Sequence, residues 1–158
     1  MVVMAVTDRA AGAKGISAFV VDRGTPGMTP GKKEDKLGMR ASETSEVLFE
    51  GCRVPADQLL GAEGQGFSQA MQVLDAGRIG IAALSVGLAQ GAFEAALRYA
   101  QDRRAFGKRI GEFQALQWKL ADNATRIEAA RLLTYRAAYL KDRGDRTTLE
   151  SSMAKWVW

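Results

Sequence analysis

The spacing of apolar residues divides the chain into two parts. Before about residue 62, short runs rich in β-branched residues alternate with glycine- and proline-containing turns. Three of these runs predict strands: Val2–Thr7, Ile16–Val21 and Glu46–Glu50. In the third run, Val47 and Phe49 alternate with polar neighbours, as expected for a strand with one buried face. Residues 1–62 are therefore predicted to be part of an antiparallel β domain.

Helical spacing replaces this pattern after a glycine-rich segment at residues 61–66. The apolar residues that then recur at three- and four-residue steps, or their multiples, are Phe67, Met71, Leu74, Ile81, Leu84, Leu88 and Leu97. This first helix is predicted to end near Arg104. A second is predicted from Phe113 to the glycine turn at residues 143–145, and a third begins near Thr147. The fold class is therefore α+β: a partial antiparallel β domain, followed by three long helices of an up-down four-helix bundle at 63–158.

Both termini indicate a piece of a larger protein. The chain starts inside a predicted strand and stops inside a helix that has no cap. The segment Gly61–Gly66 is interpreted as a flexible joint between the sheet and the bundle. A phosphate loop is disfavoured because the glycines do not follow the dinucleotide spacing and no βαβ unit surrounds them.

Composition narrows the possible chemistry. The 158 residues include no His and one Cys, which excludes a His-based triad, a His metal site and a zinc finger. A single Cys forms no internal disulfide, so a reducing, cytoplasmic location is expected. The net charge of +4 is too small to indicate nucleic acid. No stretch reaches roughly 18 uninterrupted apolar residues, so no membrane span is predicted.

The long helix contains two features that admit both a structural and a ligand-binding interpretation. Each of its interior glycines costs up to about 1 kcal/mol relative to alanine, and the positions are Gly77, Gly80, Gly87 and Gly91. They allow either close helix packing or a flat ligand or acyl chain. Asp75 and Arg78 are three residues apart and share a helix face, so they form either a solvated ion pair or a polar grip on a ligand.

A basic cluster follows the long helix. Four cations surround Phe106 and Gly107, in the segment Asp102-Arg103-Arg104-Ala105-Phe106-Gly107-Lys108-Arg109. Cations at a helix C-terminus complement the macrodipole, and this explains them structurally. The same cluster also suits a diphosphate, because arginine presents forked donors to phosphate oxygens. Gln114 adds an amide at the start of the next helix.

At this cluster the chain closely resembles the acyl-CoA dehydrogenase family. The resemblance continues in other segments, and its order and spacing fit nearly all 158 residues. The segments that carry it are Lys36-Leu37-Gly38-Met39-Arg40-Ala41-Ser42, Arg53-Val54-Pro55, Gly64-Gln65-Gly66-Phe67, Val86-Gly87-Leu88-Ala89-Gln90, Arg103-Arg104-Ala105-Phe106-Gly107-Lys108 and Glu112-Phe113-Gln114. The chain would then contain the end of the middle β domain and most of the C-terminal helical bundle.

The resemblance implies two sets of binding residues. Arg103, Phe106 and Gln114 match positions that contact the diphosphate and adenosine portion of FAD held by a neighbouring subunit. Asp75 and Arg78 match the pair that contacts the acyl-CoA substrate. Gly77 and Ile81 match positions that line the acyl-chain cavity in the family. No metal is implied.

The resemblance also implies a reaction and partners. Family members convert an acyl-CoA thioester to a 2-enoyl-CoA, in fatty-acid or amino-acid breakdown, with an electron-transferring flavoprotein as acceptor. They assemble as homotetramers, dimers of dimers. Some members carry the catalytic glutamate immediately before the arginine that Arg78 matches, where this chain has Gly77. No catalytic residue is therefore assigned, and the isolated chain is expected neither to retain FAD nor to oxidise acyl-CoA.

Other functions remain open at this point. An acyl-CoA oxidase or a flavin-dependent monooxygenase would have the same fold and pass electrons to oxygen. A non-catalytic helical assembly module would use the apolar helix faces for oligomerisation alone. Nucleic-acid binding is the weakest alternative, because the basic cluster is short and already has a flavin explanation.

Overall fold

The structure is a computed structural model that describes residues 1–157. The chain separates into two compact units, Met1–Met71 and Gln72–Trp158. Their secondary structure confirms the predicted α+β class, with short antiparallel strands first and helices after them. The predicted boundary at residues 62 and 63 stays a prediction.

The first unit contains two antiparallel strand pairs. β1 (Val2–Val6) pairs with β2 (Ile16–Val20), so that Met4 lies opposite Ala18. β3 (Met28–Lys33) pairs with β4 (Ser45–Phe49) and contains a register shift. The sequence analysis did not predict β3, because Pro30 and Gly31 interrupt the alternating strand pattern. Proline is tolerated here because it lies next to that irregularity.

The glycine segment at 61–66 is packed against β2, which corrects its interpretation as a flexible joint. A Cβ on Gly66 would lie 2.6 Å from the Ser17 carbonyl carbon, and one on Gly64 would lie 2.4 Å from the Lys14 carbonyl oxygen. The backbone N–H of Gly64 also donates to the Ser17 hydroxyl at 2.9 Å. These glycines are therefore required by close backbone approach within the first unit.

Three helices form most of the second unit. α1 extends over Gly66–Asp102, α2 over Gln114–Asp142 and α3 over Thr148–Trp156. A two-residue strand pair connects the first two, β5 (Arg104–Ala105) with β6 (Lys108–Arg109), followed by a 3-10 turn at Ile110–Glu112. The three predicted helices are thus present, although α3 has only nine residues.

The core of the second unit is built from alanines. Ala82 of α1, Ala137 of α2 and Ala154 of α3 are each at most 1% exposed and pack together. Further along the same two helices, the Arg131 guanidinium donates to the Gln90 amide oxygen at 2.8 Å. Ala82 packs with Ala137, whereas Gln90, which comes later on α1, contacts Arg131, which comes earlier on α2. The helices α1 and α2 are therefore antiparallel.

Ile79 packs against this core, but the apolar residues that predicted α1 lie outside it. All seven positions that predicted the helix are between 37% and 66% exposed, whereas Ala82, Val86 and Ala100 are buried. An 18-residue window of α1 has a mean hydropathy of 1.4, which by length and composition alone is enough to cross a membrane. A single such helix is a weak indication of a span, because core helices of soluble proteins meet the same criterion.

The packing at residue 66 yields a stability prediction. Gly66→Ala places a methyl group 2.6 Å from the Ser17 carbonyl carbon and 2.8 Å from the Ala18 nitrogen. Because both are backbone atoms, we expect a loss of about 1–3 kcal/mol in the free energy of unfolding. Urea denaturation measures this loss.

Gly91→Ala is the matched control, since no atom of another element in residues 1–157 lies within 4 Å of its added Cβ. Alanine is the better helix former, so this variant is expected to gain up to about 1 kcal/mol. Equal stability of the two variants would contradict the close approach at Gly66.

Candidate functional site

The basic cluster folds as a tight hairpin. Arg104 lies opposite Arg109 and Ala105 opposite Lys108, with Phe106 and Gly107 as the two turn residues. Their φ angles are +50° and +83°, the combination that a type I′ turn requires. Glycine adopts this conformation freely, but a phenylalanine in the left-handed region costs on the order of 1–2 kcal/mol. The fold therefore keeps an unfavourable residue at the tip of this hairpin.

That phenylalanine is presented to the outside. Phe106 is 96% exposed, and its ring touches Phe113 edge-on, with centroids 6.3 Å apart and planes at 88°. The ammonium of Lys108 lies 4.4 Å from the centroid of the Phe113 ring, a cation–π contact. An aromatic surface beside a positive charge results, which can stack on a flat ring and attract an anion.

The hairpin also places Arg103 and Gln114 at the α1–α2 connection. The Ile110 N–H donates to the Arg103 carbonyl at 2.8 Å, which closes the base of the loop. The Arg103 and Gln114 side chains are exposed, and neither is hydrogen-bonded within residues 1–157. The side-chain donors of Arg103 and Gln114 thus have no competing acceptor in the described chain.

A small cavity adjoins this connection, and it was not expected from the sequence. Its volume is about 430 Å³, and its polar lining comes from Gln101, Arg109, Glu112 and Gln117. Two of these side chains hold the loop: the Arg109 N–H donates to the Glu112 carboxylate at 3.2 Å, and the Gln117 amide donates to the Gly111 carbonyl at 3.0 Å. The Glu112 and Gln117 side chains therefore stabilise the hairpin and the turn that follows it.

The second predicted site lies near the start of α1. The Arg78 guanidinium donates through Nη1 to Oδ1 of Asp75, and both side chains are partly exposed, at 31% and 23%. Oδ2 of Asp75 accepts a hydrogen bond from the Thr148 hydroxyl at 2.9 Å. The sequence did not indicate Thr148, because nothing in the local pattern relates residues 73 positions apart.

The glycines of α1 face open space. A Cβ added to Gly77, Gly80, Gly87 or Gly91 would meet no atom within 4 Å among the described residues. Packing within this part of the chain therefore does not require them. Ile81, one turn beyond Gly77, is 50% exposed and adds apolar surface to the same region.

The two sites lie at different ends of one helix. From Arg78 to Asp102 the helix rises 24 residues, or about 36 Å at 1.5 Å per residue. One chain therefore places the Asp75–Arg78 pair and the basic hairpin in two separate regions.

Comparison with known proteins identifies the class to which this fold and these sites belong. The model of the acyl-CoA dehydrogenase C-terminal domain matches residues 64–158, and that of the acyl-CoA dehydrogenase middle domain matches residues 1–52. The chain belongs to the acyl-CoA dehydrogenase family.

Individual relatives are similar over almost the whole chain. The mitochondrial short-chain specific acyl-CoA dehydrogenase of Rattus norvegicus is 56% identical over 154 residues, which are 98% of this chain and 37% of that protein. Butyryl-CoA dehydrogenase from Megasphaera elsdenii has a TM-score of 0.96 at 47% identity and covers 99% of this chain. A chain in a structure of the electron transferring flavoprotein of Acidaminococcus fermentans has a TM-score of 0.96 at 51% identity, with 99% coverage. This chain spans 41% of each of these two structures.

The strained turn generates a prediction about stability. Asparagine populates the left-handed region far more readily than alanine does, and Asn-Gly is the preferred type I′ pair. We expect Phe106→Asn to be more stable than Phe106→Ala by up to about 1 kcal/mol.

Both variants lose the contact with Phe113, so the difference between them isolates the backbone preference. Chemical denaturation of the pair provides the measurement. An alanine variant as stable as the asparagine variant would show that Phe106 carries no backbone strain.

Proposed function

We propose that this protein acts as an FAD-dependent acyl-CoA dehydrogenase that converts a short-chain acyl-CoA thioester to its 2-enoyl-CoA. The observation that carries the proposal is the Asp75–Arg78 pair beside glycines that the described packing does not need. The family membership and the short-chain relatives support the same substrate class.

The pair suits the polar part of an acyl-CoA. Arg78 has five N–H donors, and the Asp75 carboxylate is their one acceptor within residues 1–157. Its remaining donors are available for carbonyl or phosphate oxygens of the ligand. Asp75 keeps free lone pairs that can accept from an amide N–H of the pantetheine arm. The two residues bind and orient the substrate in this proposal.

The glycine surface suits the acyl part. Gly77 and Gly80 leave room for a chain to lie against the α1 backbone, and Ile81 provides apolar contact. Gly77 stands where some family members carry the catalytic glutamate, and it has no side chain that could take a proton. Residues 75–81 are therefore assigned to binding, and none of them to proton removal.

The α1–α2 connection fits the requirements of FAD. Arg103 offers forked donors to diphosphate oxygens, Gln114 offers an amide, and the exposed ring of Phe106 offers a stacking surface. The cost of holding Phe106 in the left-handed region supports this role, because strain of this kind is typical of ligand contacts. Bound FAD supplies the acceptor for the hydride that leaves the substrate β carbon.

The separation along α1 favours an oligomer. We call Arg103, Phe106 and Gln114 the flavin clamp. It follows the end of α1, about 36 Å along the helix from Arg78. It therefore serves a flavin other than the one beside the Asp75–Arg78 pair, as the family resemblance implies for neighbouring subunits. We propose a homotetramer, a dimer of dimers. An electron-transferring flavoprotein is the proposed acceptor, supported by the structural match to a chain in the Acidaminococcus fermentans structure.

Activity tests the function directly. The protein expressed from its complete reading frame is expected to reduce a dye acceptor with butyryl-CoA. Arg78→Ala is expected to raise the KM about tenfold or more, because hydrogen bonds of charged groups contribute about 1.5–3 kcal/mol.

Arg126→Ala is the matched control, since Arg126 is an exposed arginine paired with Asp122 on α2. Oxygen consumption without need of the dye would indicate an oxidase or monooxygenase. Flavin-free protein that does not bind butyryl-CoA would leave the assembly module as the function.

Flavin retention tests the clamp. Arg103→Ala removes the forked donors and is expected to weaken FAD binding about tenfold or more, by the same energy per charged hydrogen bond. The measurement is the flavin absorbance per protein after gel filtration, with Arg126→Ala again as control. Full flavin occupancy in Arg103→Ala would contradict the assigned role.

A further inference from the structure

Thr148, the first residue of α3, forms a hydrogen bond to the carboxylate of Asp75. The Thr148 hydroxyl donates to Oδ2 of Asp75 at 2.9 Å, while Oδ1 accepts from Arg78. Each oxygen of the carboxylate thus has one protein donor, and the two donors come from different helices. A carboxylate held at both oxygens cannot rotate away from the orientation that a ligand meets.

The Thr148 hydroxyl serves this contact and not a helix cap. The N-cap position of α3 is Thr147, whose side chain makes no capping hydrogen bond. Asp75 instead brings a negative charge to the N-terminus of α3, where the helix dipole favours an anion. The arrangement makes the start of α3 part of the environment of Asp75.

The position of Thr148 is itself well determined. Its carbonyl accepts hydrogen bonds from the hydroxyls of Ser151 at 3.3 Å and Ser152 at 2.6 Å. Ser151, one turn further, and Ala154, almost two turns further, are completely buried, and Ala154 packs in the alanine core. The docking of α3 therefore fixes where the Thr148 hydroxyl lies.

We infer that Thr148 is a positioning residue for substrate binding: it orients Asp75, and through Asp75 the Arg78 guanidinium, for the acyl-CoA. This role rests on the proposed function and extends it to a third helix. We expect Thr148 to act on affinity, because its hydroxyl donates to Asp75, a residue assigned to binding and not to proton removal. Removal of the Thr148 hydroxyl is therefore expected to weaken substrate binding and to leave turnover unchanged.

The test compares threonine variants of the complete enzyme with butyryl-CoA as the probe. Thr148→Val keeps the shape and removes the donor, so KM is expected to rise about five- to tenfold with kcat within about twofold. Thr148→Ser keeps the hydroxyl and is expected to stay within about twofold of the wild type in KM. The control is Thr125→Val, whose exposed hydroxyl donates to the Ala121 carbonyl at 2.9 Å, and it is expected to change neither constant.

A double-mutant cycle distinguishes positioning from a structural effect. In an Asp75→Ala background, Thr148→Val is expected to raise KM no further, since the residue it orients is absent. Thr148→Ala, with the best helix-forming side chain, replaces the valine variant if valine disturbs α3. Equal KM in wild type and Thr148→Val, or an equal rise in both backgrounds, would overturn the inference and leave the proposed function standing. A wild-type enzyme that does not bind butyryl-CoA would overturn both.

Discussion

The close contact of three alanines is the constraint on which the second unit depends. Ala82, Ala137 and Ala154 bring α1, α2 and α3 together at one point, and their methyl groups allow the backbones to approach closely. A larger residue at any of the three would force the helices apart, at a typical cost of about 1–3 kcal/mol. It would also move the start of α3 away from Asp75. Packing in the core and the geometry of the candidate substrate site are therefore set by the same contact.

Several residues of this chain are locally unfavourable for stability. Close packing within the described chain explains some of them but not the others. Gly64 and Gly66 are required because backbone atoms of Lys14 and Ser17 lie where their side chains would be. Gly77 and its neighbours on α1 meet nothing in the described chain, and Phe106 holds a left-handed conformation with its ring exposed. Local rules that are broken without compensation in the fold are typical of binding sites. Both unexplained positions fall in the regions that we assign to substrate and flavin.

Much of the architecture followed from periodicity and turn residues. The second helix was predicted after Phe113 and before the turn at Gly144, and α2 extends over Gln114–Asp142 with Gly144 at a φ of +80°. The long helix was placed with its end near Arg104, two residues beyond Asp102. The strand β3 was missed because proline and glycine suppress the alternating pattern. The hairpin at Arg104–Arg109 was missed because two-residue strands are too short for any period to show.

Part of the candidate site could likewise be predicted from the sequence, and part of it could not. Asp75 and Arg78 could be paired from the sequence, because an α-helix brings residues three apart to one face regardless of what surrounds it. The glycines and the cations of the loop could likewise be recognised from their residue types. Which face of α1 is buried, and that Thr148 donates to Asp75, could not be read in this way. These properties depend on how the helices dock, and docking is decided by side-chain volumes at contacts between residues far apart in the chain.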